Sequence, residues 1–149
     1  MQAQMLAPAA ALIAWSLVML FWLAASRFTA AAKLEGKGGP PPPGLRGQDL
    51  EGVLPDKANW KSHNYTHLME QPTIFYPSVI LIAMMGPGAL DVTIAWTYVG
   101  LRIIHSLYQA TINKVPVRFG IFVLSTLALL YLAYRAVALT LLADPGVVA

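Results

Sequence analysis

No charged side chain occurs before Arg27, and from Met5 to Ser26 the chain is almost wholly apolar. A helix rising about 1.5 Å per residue crosses a hydrocarbon core about 30 Å thick with such a run. A secretory signal needs a basic segment ahead of a shorter apolar core. Here the first cation follows the run, so a retained helix over about 5–27 is expected. The rest of the composition agrees: charged residues make up 11% and hydrophobic residues 57%, with a mean hydropathy of +0.59. Soluble domains carry about 25% charge. A disordered chain, a coiled coil and most soluble enzymes are excluded. There is no Cys, so a disulfide, a thiolate metal site and a cysteine nucleophile are excluded too.

Three more spans follow. The second is expected over about 64–85, ended by Gly86-Pro87-Gly88. The third runs over about 91–112, with Asp91 as N-cap and Lys114-Val115-Pro116 beyond its end. The fourth runs over about 117–142, stopped by Asp144-Pro145-Gly146. A bilayer admits helices or closed barrels, and the alternating strands of a barrel are missing from the sequence. The expected fold is therefore an all-α membrane protein, a four-transmembrane-helix bundle in one domain over 1–149. The long connection 28–62 carries Gly38-Gly39-Pro40-Pro41-Pro42-Pro43-Gly44, expected to be a stiff, solvated linker.

The cations set an orientation. Arg27, Lys33, Lys37, Arg46, Lys57 and Lys61 lie in or beside the long connection, and Lys114 and Arg118 lie at the turn before the fourth span. The termini and the Gly86 turn have neither Lys nor Arg. The positive-inside rule then places both loops in the cytoplasm and both termini outside.

Ionisable groups inside a membrane are costly and mark function or assembly. His63, His67 and Glu70 share one helix face at the entry of the second span. Tyr98, Arg102, His105, Gln109 and Asn113 form a polar stripe along the third. Arg102 is too deep to reach the interface easily. Glu70 is the one carboxylate expected within a span nearby, so an Arg102–Glu70 contact is expected, within a chain or between subunits. Pro72 and Pro77 should kink the second span. Arg135 is expected to snorkel to the outer interface. A metal held by His63, His67, His105 and Glu70 is a lesser alternative, and no metal is expected. The basic residues follow no nucleic-acid-binding motif.

Asn64-Tyr65-Thr66-His67-Leu68-Met69-Glu70-Gln71-Pro72, Arg102-Ile103-Ile104-His105 and Asn113-Lys114-Val115-Pro116-Val117-Arg118, with the four-span layout and a length near 150, resemble the membrane-associated proteins in eicosanoid and glutathione metabolism, the MAPEG family. The resemblance is nearest to its bacterial members, which implies a multi-pass protein of the bacterial inner membrane. It further implies a homotrimer among membrane lipids, with glutathione as co-substrate between subunits and a lipophilic electrophile or lipid peroxide as the second substrate. Arg118 matches the arginine that stabilises the glutathione thiolate. By the same resemblance His63, His67, Glu70, Arg102, His105, Gln109, Asn113 and Lys114 are the ligand-binding positions. His63 stands where catalytic members have Arg, His67 where they usually have Asn, and Gln109 where Tyr is frequent. These departures motivate a second reading, a non-enzymatic ligand-binding or structural trimer.

Overall fold

The computed structural model describes residues 1–33 and 43–143. Lys37, most of the proline-rich run and the Asp144-Pro145-Gly146 stop lie outside the described residues. The described chain contains α1 (Gln2–Ala32), a single 3-10 turn (Gly47–Leu50), α2 (Asp56–Glu70), α3 (Pro72–Met85), α4 (Ala89–Thr111) and α5 (Val115–Thr140), and no strand.

The first span is longer than expected. At 31 residues, α1 extends about 46 Å, so its last turns run past the apolar stretch into the basic region at Arg27 and Lys33. The second expected span is also longer at its start. It begins at Asp56 as α2, passes Gln71 and continues as α3, a helical run of 30 residues to Met85. Pro72 explains the interruption: it lacks an N–H and takes the first position of a new helix, where that donor is not needed. Gln71 keeps right-handed helical dihedrals, and its carbonyl accepts from Ile74 N at 3.0 Å. Its side chain donates to Thr126 Oγ1 of α5 at 2.7 Å, which ties the interruption to the bundle. Pro77 is carried inside α3.

Gly86 ends α3 at φ +103°, a left-handed conformation that an L side chain rarely adopts. Asp91 is not the N-cap of α4. Gly88 holds that place, and the Asp91 carboxylate, three residues on, accepts from Gly88 N at 2.9 Å.

Met5, Leu12 and Met19 of α1, Phe75, Val79 and Ile82 of α3, Tyr98 and Val99 of α4, and Leu132 of α5 form the buried core. Phe75 stacks on Tyr98 with ring centroids 4.4 Å apart. The outward faces are apolar too: Phe21, Phe28, Phe119, Leu130 and Leu141 are all exposed. Water would penalise such a surface and lipid does not. Gln2–Ala32, Asp56–Met85 and Val115–Thr140 are long and apolar enough to cross a membrane, and only 17% of the most apolar stretch of α5 is buried within the chain. That leaves α5 free to meet lipid or another copy. At 23 residues α4 is long enough to cross but is not among the helices that qualify by apolarity. Its polar stripe lowers the hydropathy, and that stripe is turned inward.

Candidate functional site

The inward face of α4 carries Asp91, Tyr98, Arg102, His105, Ser106 and Gln109, all buried. Three- and four-residue spacing puts them on one side of the helix. Ser106 joins three helices: its hydroxyl accepts from Trp15 Nε1 of α1 at 3.0 Å and from Asn64 Nδ2 of α2 at 2.8 Å. Trp15 thus faces inward at a polar node, a role its position in an apolar run did not reveal.

Arg102 sits in the middle of this face, 1% exposed. One Nη2 hydrogen bond, at 2.6 Å, reaches the backbone carbonyl of His67. Its Nε and Nη1, the Tyr98 hydroxyl and Gln109 Oε1 have no partner. The expected Arg102–Glu70 pair is not formed within the chain. Glu70 is exposed, and its carboxylate stands 3.9 Å from His67 Nε2 instead. The geometric reason is that Arg102 meets the backbone of α2 one turn before Glu70, while the Glu70 side chain points outward.

Between α2, α4 and the first turns of α5 lies a cavity of about 180 Å³ lined by His67, His105, Val115, Arg118, Phe119 and Phe122. The two imidazoles stack with centroids 5.8 Å apart and planes 16° from parallel. His105 also tilts against Phe122 at 6.3 Å. His67 Nδ1 has no hydrogen-bond partner.

Arg118 is aimed by the turn that precedes α5. Asn113 adopts φ +57°, the left-handed region that Asn tolerates better than most residues. In that conformation its side-chain carbonyl accepts from Arg118 Nη1 at 2.7 Å. The Lys114 carbonyl accepts the backbone N–H of Arg118 at 3.1 Å, closing the first turn of α5. A cation, two imidazoles and an apolar wall of two phenylalanines therefore face one space. Such a site suits a ligand with one anionic atom and one apolar end.

Of the residues singled out in the sequence, the structure brings His67, His105 and Arg118 together, with Asn113 behind Arg118. Gln109 is buried but does not line the cavity, and Lys114 is exposed at the helix start. His63 lies apart: its Nε2 makes a 2.7 Å hydrogen bond to Glu51 Oε1 in the connection. Val115, Phe119 and Phe122 escaped the sequence reading because α5 is predominantly apolar, although Val115 and Phe122 lie three and four residues from Arg118, on its face. Among the described residues no group of three or more His, Asp or Glu side chains is placed to hold a metal ion.

A second polar cluster lies on α4 and α5 near the Gly86 turn. Asp91 Oδ1 accepts from Arg135 Nε at 3.0 Å and from the Tyr131 hydroxyl at 3.0 Å, and Asp91 Oδ2 accepts from Arg135 Nη2 at 3.1 Å. Arg135 does not simply snorkel outward. It is held in a two-pronged ion pair by a carboxylate 44 positions earlier, a distance no local pattern reports.

These features define an integral membrane protein: a helical bundle with an apolar exterior and a buried polar seam. Compared with known families, residues 5–138 match the MAPEG family, and the chain belongs to it. No curated protein and no solved structure matches the chain.

Proposed function

We propose that the protein is a membrane glutathione transferase or peroxidase, in which Arg118 stabilises the thiolate of glutathione and the second substrate is a lipophilic electrophile or lipid peroxide. The observation that carries this is the Arg118 guanidinium, braced by Asn113 and lining a cavity whose other wall is Phe119 and Phe122. A fixed cation lowers the cost of ionising a nearby thiol. The thiolate sulfur then adds to an electrophilic carbon, or attacks the terminal oxygen of a hydroperoxide and breaks its O–O bond, releasing the alcohol and leaving a glutathione sulfenate. A second glutathione reduces the sulfenate to the disulfide with loss of water, so the protein needs no cysteine of its own. Val115 and Phe119 are exposed on the outer face of α5, which suits a lipophilic partner arriving from the bilayer.

The same reading includes α4 as a fourth transmembrane helix, shielded by neighbours, with both basic connections in the cytoplasm and both termini outside, in a bacterial inner membrane. It includes a homotrimer. The unpartnered Arg102 and Gln109 groups and the exposed Glu70 support that expectation, since a ligand or a neighbouring subunit would engage them. His63, His67, Glu70, Arg102, His105, Gln109, Asn113 and Lys114 remain the proposed ligand-binding set, with His63 the least supported, because Glu51 occupies it.

That engagement of His63 favours a second reading, a trimer that binds a ligand without turning it over. Calorimetric titration of glutathione into detergent-solubilised wild type and Arg118→Ala tests the first reading, followed by turnover of a peroxide and of a conjugation substrate. Saturable binding, weakened in the variant and accompanied by turnover, supports it. Binding without turnover favours the second reading. No binding at millimolar glutathione contradicts both as far as glutathione is the ligand.

A further inference from the structure

A second cavity, of about 450 Å³, lies where the end of α1 passes the start of α2. Trp22, Ala25, Thr29 and Lys33 line it from α1, and Lys57 and Lys61 from α2. It is separate from the cavity of Arg118, and nothing in the thiol chemistry uses it. Its lining contains three ammonium groups and no carboxylate. Arg27, a further cation at this end, is already engaged. It donates to the Gly47 carbonyl at 2.8 Å and to Ser62 Oγ at 2.7 Å. Among the described residues, none of the three lysines forms an ion pair with an acid. Lys61 donates to the Lys57 carbonyl at 2.6 Å, and its ammonium lies 5.5 Å from the centroid of the Trp22 ring.

The setting decides what kind of anion fits. The lysines stand at the basic end of the membrane-crossing helices, where headgroups lie, and the cavity reaches back along α1 to Ala25 and Trp22, next to the exposed apolar side chains of Phe21 and Val18. Lysine ammonium groups bind phosphate as point charges. Basic pockets between membrane helices hold anionic lipid headgroups. A free phosphate ion would use the lysines and leave the apolar wall of Trp22 and Ala25 empty. We propose that this groove is a binding site for an anionic phospholipid, its phosphate between Lys33, Lys57 and Lys61 and its first acyl methylenes against Trp22. The occupant is a structural lipid, independent of the proposed thiol reaction.

Trp22 supplies the test. The protein is reconstituted into phosphatidylcholine vesicles containing an equal fraction of either dibrominated phosphatidylglycerol or dibrominated phosphatidylcholine. Bromine quenches indole emission at contact, and the Trp22 contribution is isolated by subtracting Trp22→Phe. Trp96, exposed on α4, reports insertion of every variant, since either brominated lipid should quench it. The expected result is about tenfold preferential quenching of Trp22 by the anionic lipid, on the scale of one or two lysine contacts at a membrane surface. Lys57→Gln combined with Lys61→Gln should remove the preference, and Lys33→Gln alone should lower it by a smaller factor. Equal quenching by both lipids in the wild type overturns the proposal. So does a preference that survives the double substitution. Absence of quenching by either lipid overturns it as well, because the groove is then closed by another copy of the chain. If inorganic phosphate added to vesicles of phosphatidylcholine alone shifts Trp22 emission as the anionic lipid does, the groove is a free-anion site and the lipid assignment fails.

Discussion

Two arginine environments divide the polar interior of this bundle. Near the Gly86 turn, Arg135 meets Asp91 through two hydrogen bonds, and Tyr131 and Gly88 N complete the carboxylate. At the middle of α4, Arg102 has one hydrogen bond to a backbone carbonyl and two nitrogens without a partner. A buried charge that is fully paired locks its helices together, and removing one member strands the other. A buried charge left incomplete stores a demand for an acceptor. The first arrangement belongs to a lock between α4 and α5. The second stands behind the cavity of His67, His105 and Arg118, where a ligand or a neighbouring subunit is expected. Arg118 shares this logic in milder form, held on one side by Asn113 and open on the other.

The largest effect should come from the lock. Asp91→Ala leaves Arg135 and Tyr131 without their shared acceptor and should destabilise the bundle by about 3 kcal/mol, read from denaturant unfolding in detergent. Arg102→Met replaces the incomplete charge with an apolar side chain of similar length. It should cost below about 1 kcal/mol, or stabilise, because such exchanges of buried charge for apolar volume are frequently neutral. Glutathione binding should nonetheless weaken. An Arg102→Met variant less stable than Asp91→Ala would break the comparison, since Arg102 would then be the stronger lock.

A smaller pair of effects sharpens the cavity side. Asn113→Ala and Asn113→Gly both remove the acceptor of Arg118 Nη1 and should each lower turnover about tenfold, the worth of one hydrogen bond to a charged group. Only the alanine variant should also lose about 1 kcal/mol of stability, because it must hold φ +57° with a Cβ while glycine adopts that region freely. Equal stability of the two would show that the turn relaxes. Smallest of all, Gly47→Ala places a Cβ against the Arg27 guanidinium. The guanidinium is the far end of a flexible side chain and can shift, but shifting loosens its hydrogen bonds to the Gly47 carbonyl and Ser62 Oγ, so the cost should be about 0.5 kcal/mol by the same unfolding measurement.

The sequence made the helices and the identity of the polar stripe legible, because both are periodic and local. The run to Ser26 announced α1, and the spacing of Tyr98, Arg102, His105 and Gln109 placed them on one face, where the structure buries them all. Pairing was not legible. Arg102 and Glu70 looked like partners as the cation and carboxylate of adjacent spans, but the face on which Glu70 emerges depends on how α2 packs. Asp91 and Arg135 are partners through an antiparallel packing of α4 on α5 that no sequence interval encodes. His63 and His67 shared a helix face, yet the connection captures one and the cavity takes the other. The boundaries at Gln2, Ala32 and Asp56 were missed outward, since polar and weakly apolar residues continue a helix once the membrane stretch has nucleated it.

The proposed chemistry depends most on Arg118 holding a thiolate. The direct measurement is the ultraviolet absorption of the thiolate of protein-bound glutathione as a function of pH, for wild type and Arg118→Ala. A free thiol of this kind ionises at about pH 8.5. In the wild type the thiolate band should appear well below that pH, because the guanidinium favours the charged form. In Arg118→Ala it should move back toward the free value while binding persists. A band that follows free glutathione in the wild type, or one that the substitution leaves in place, would contradict the assignment.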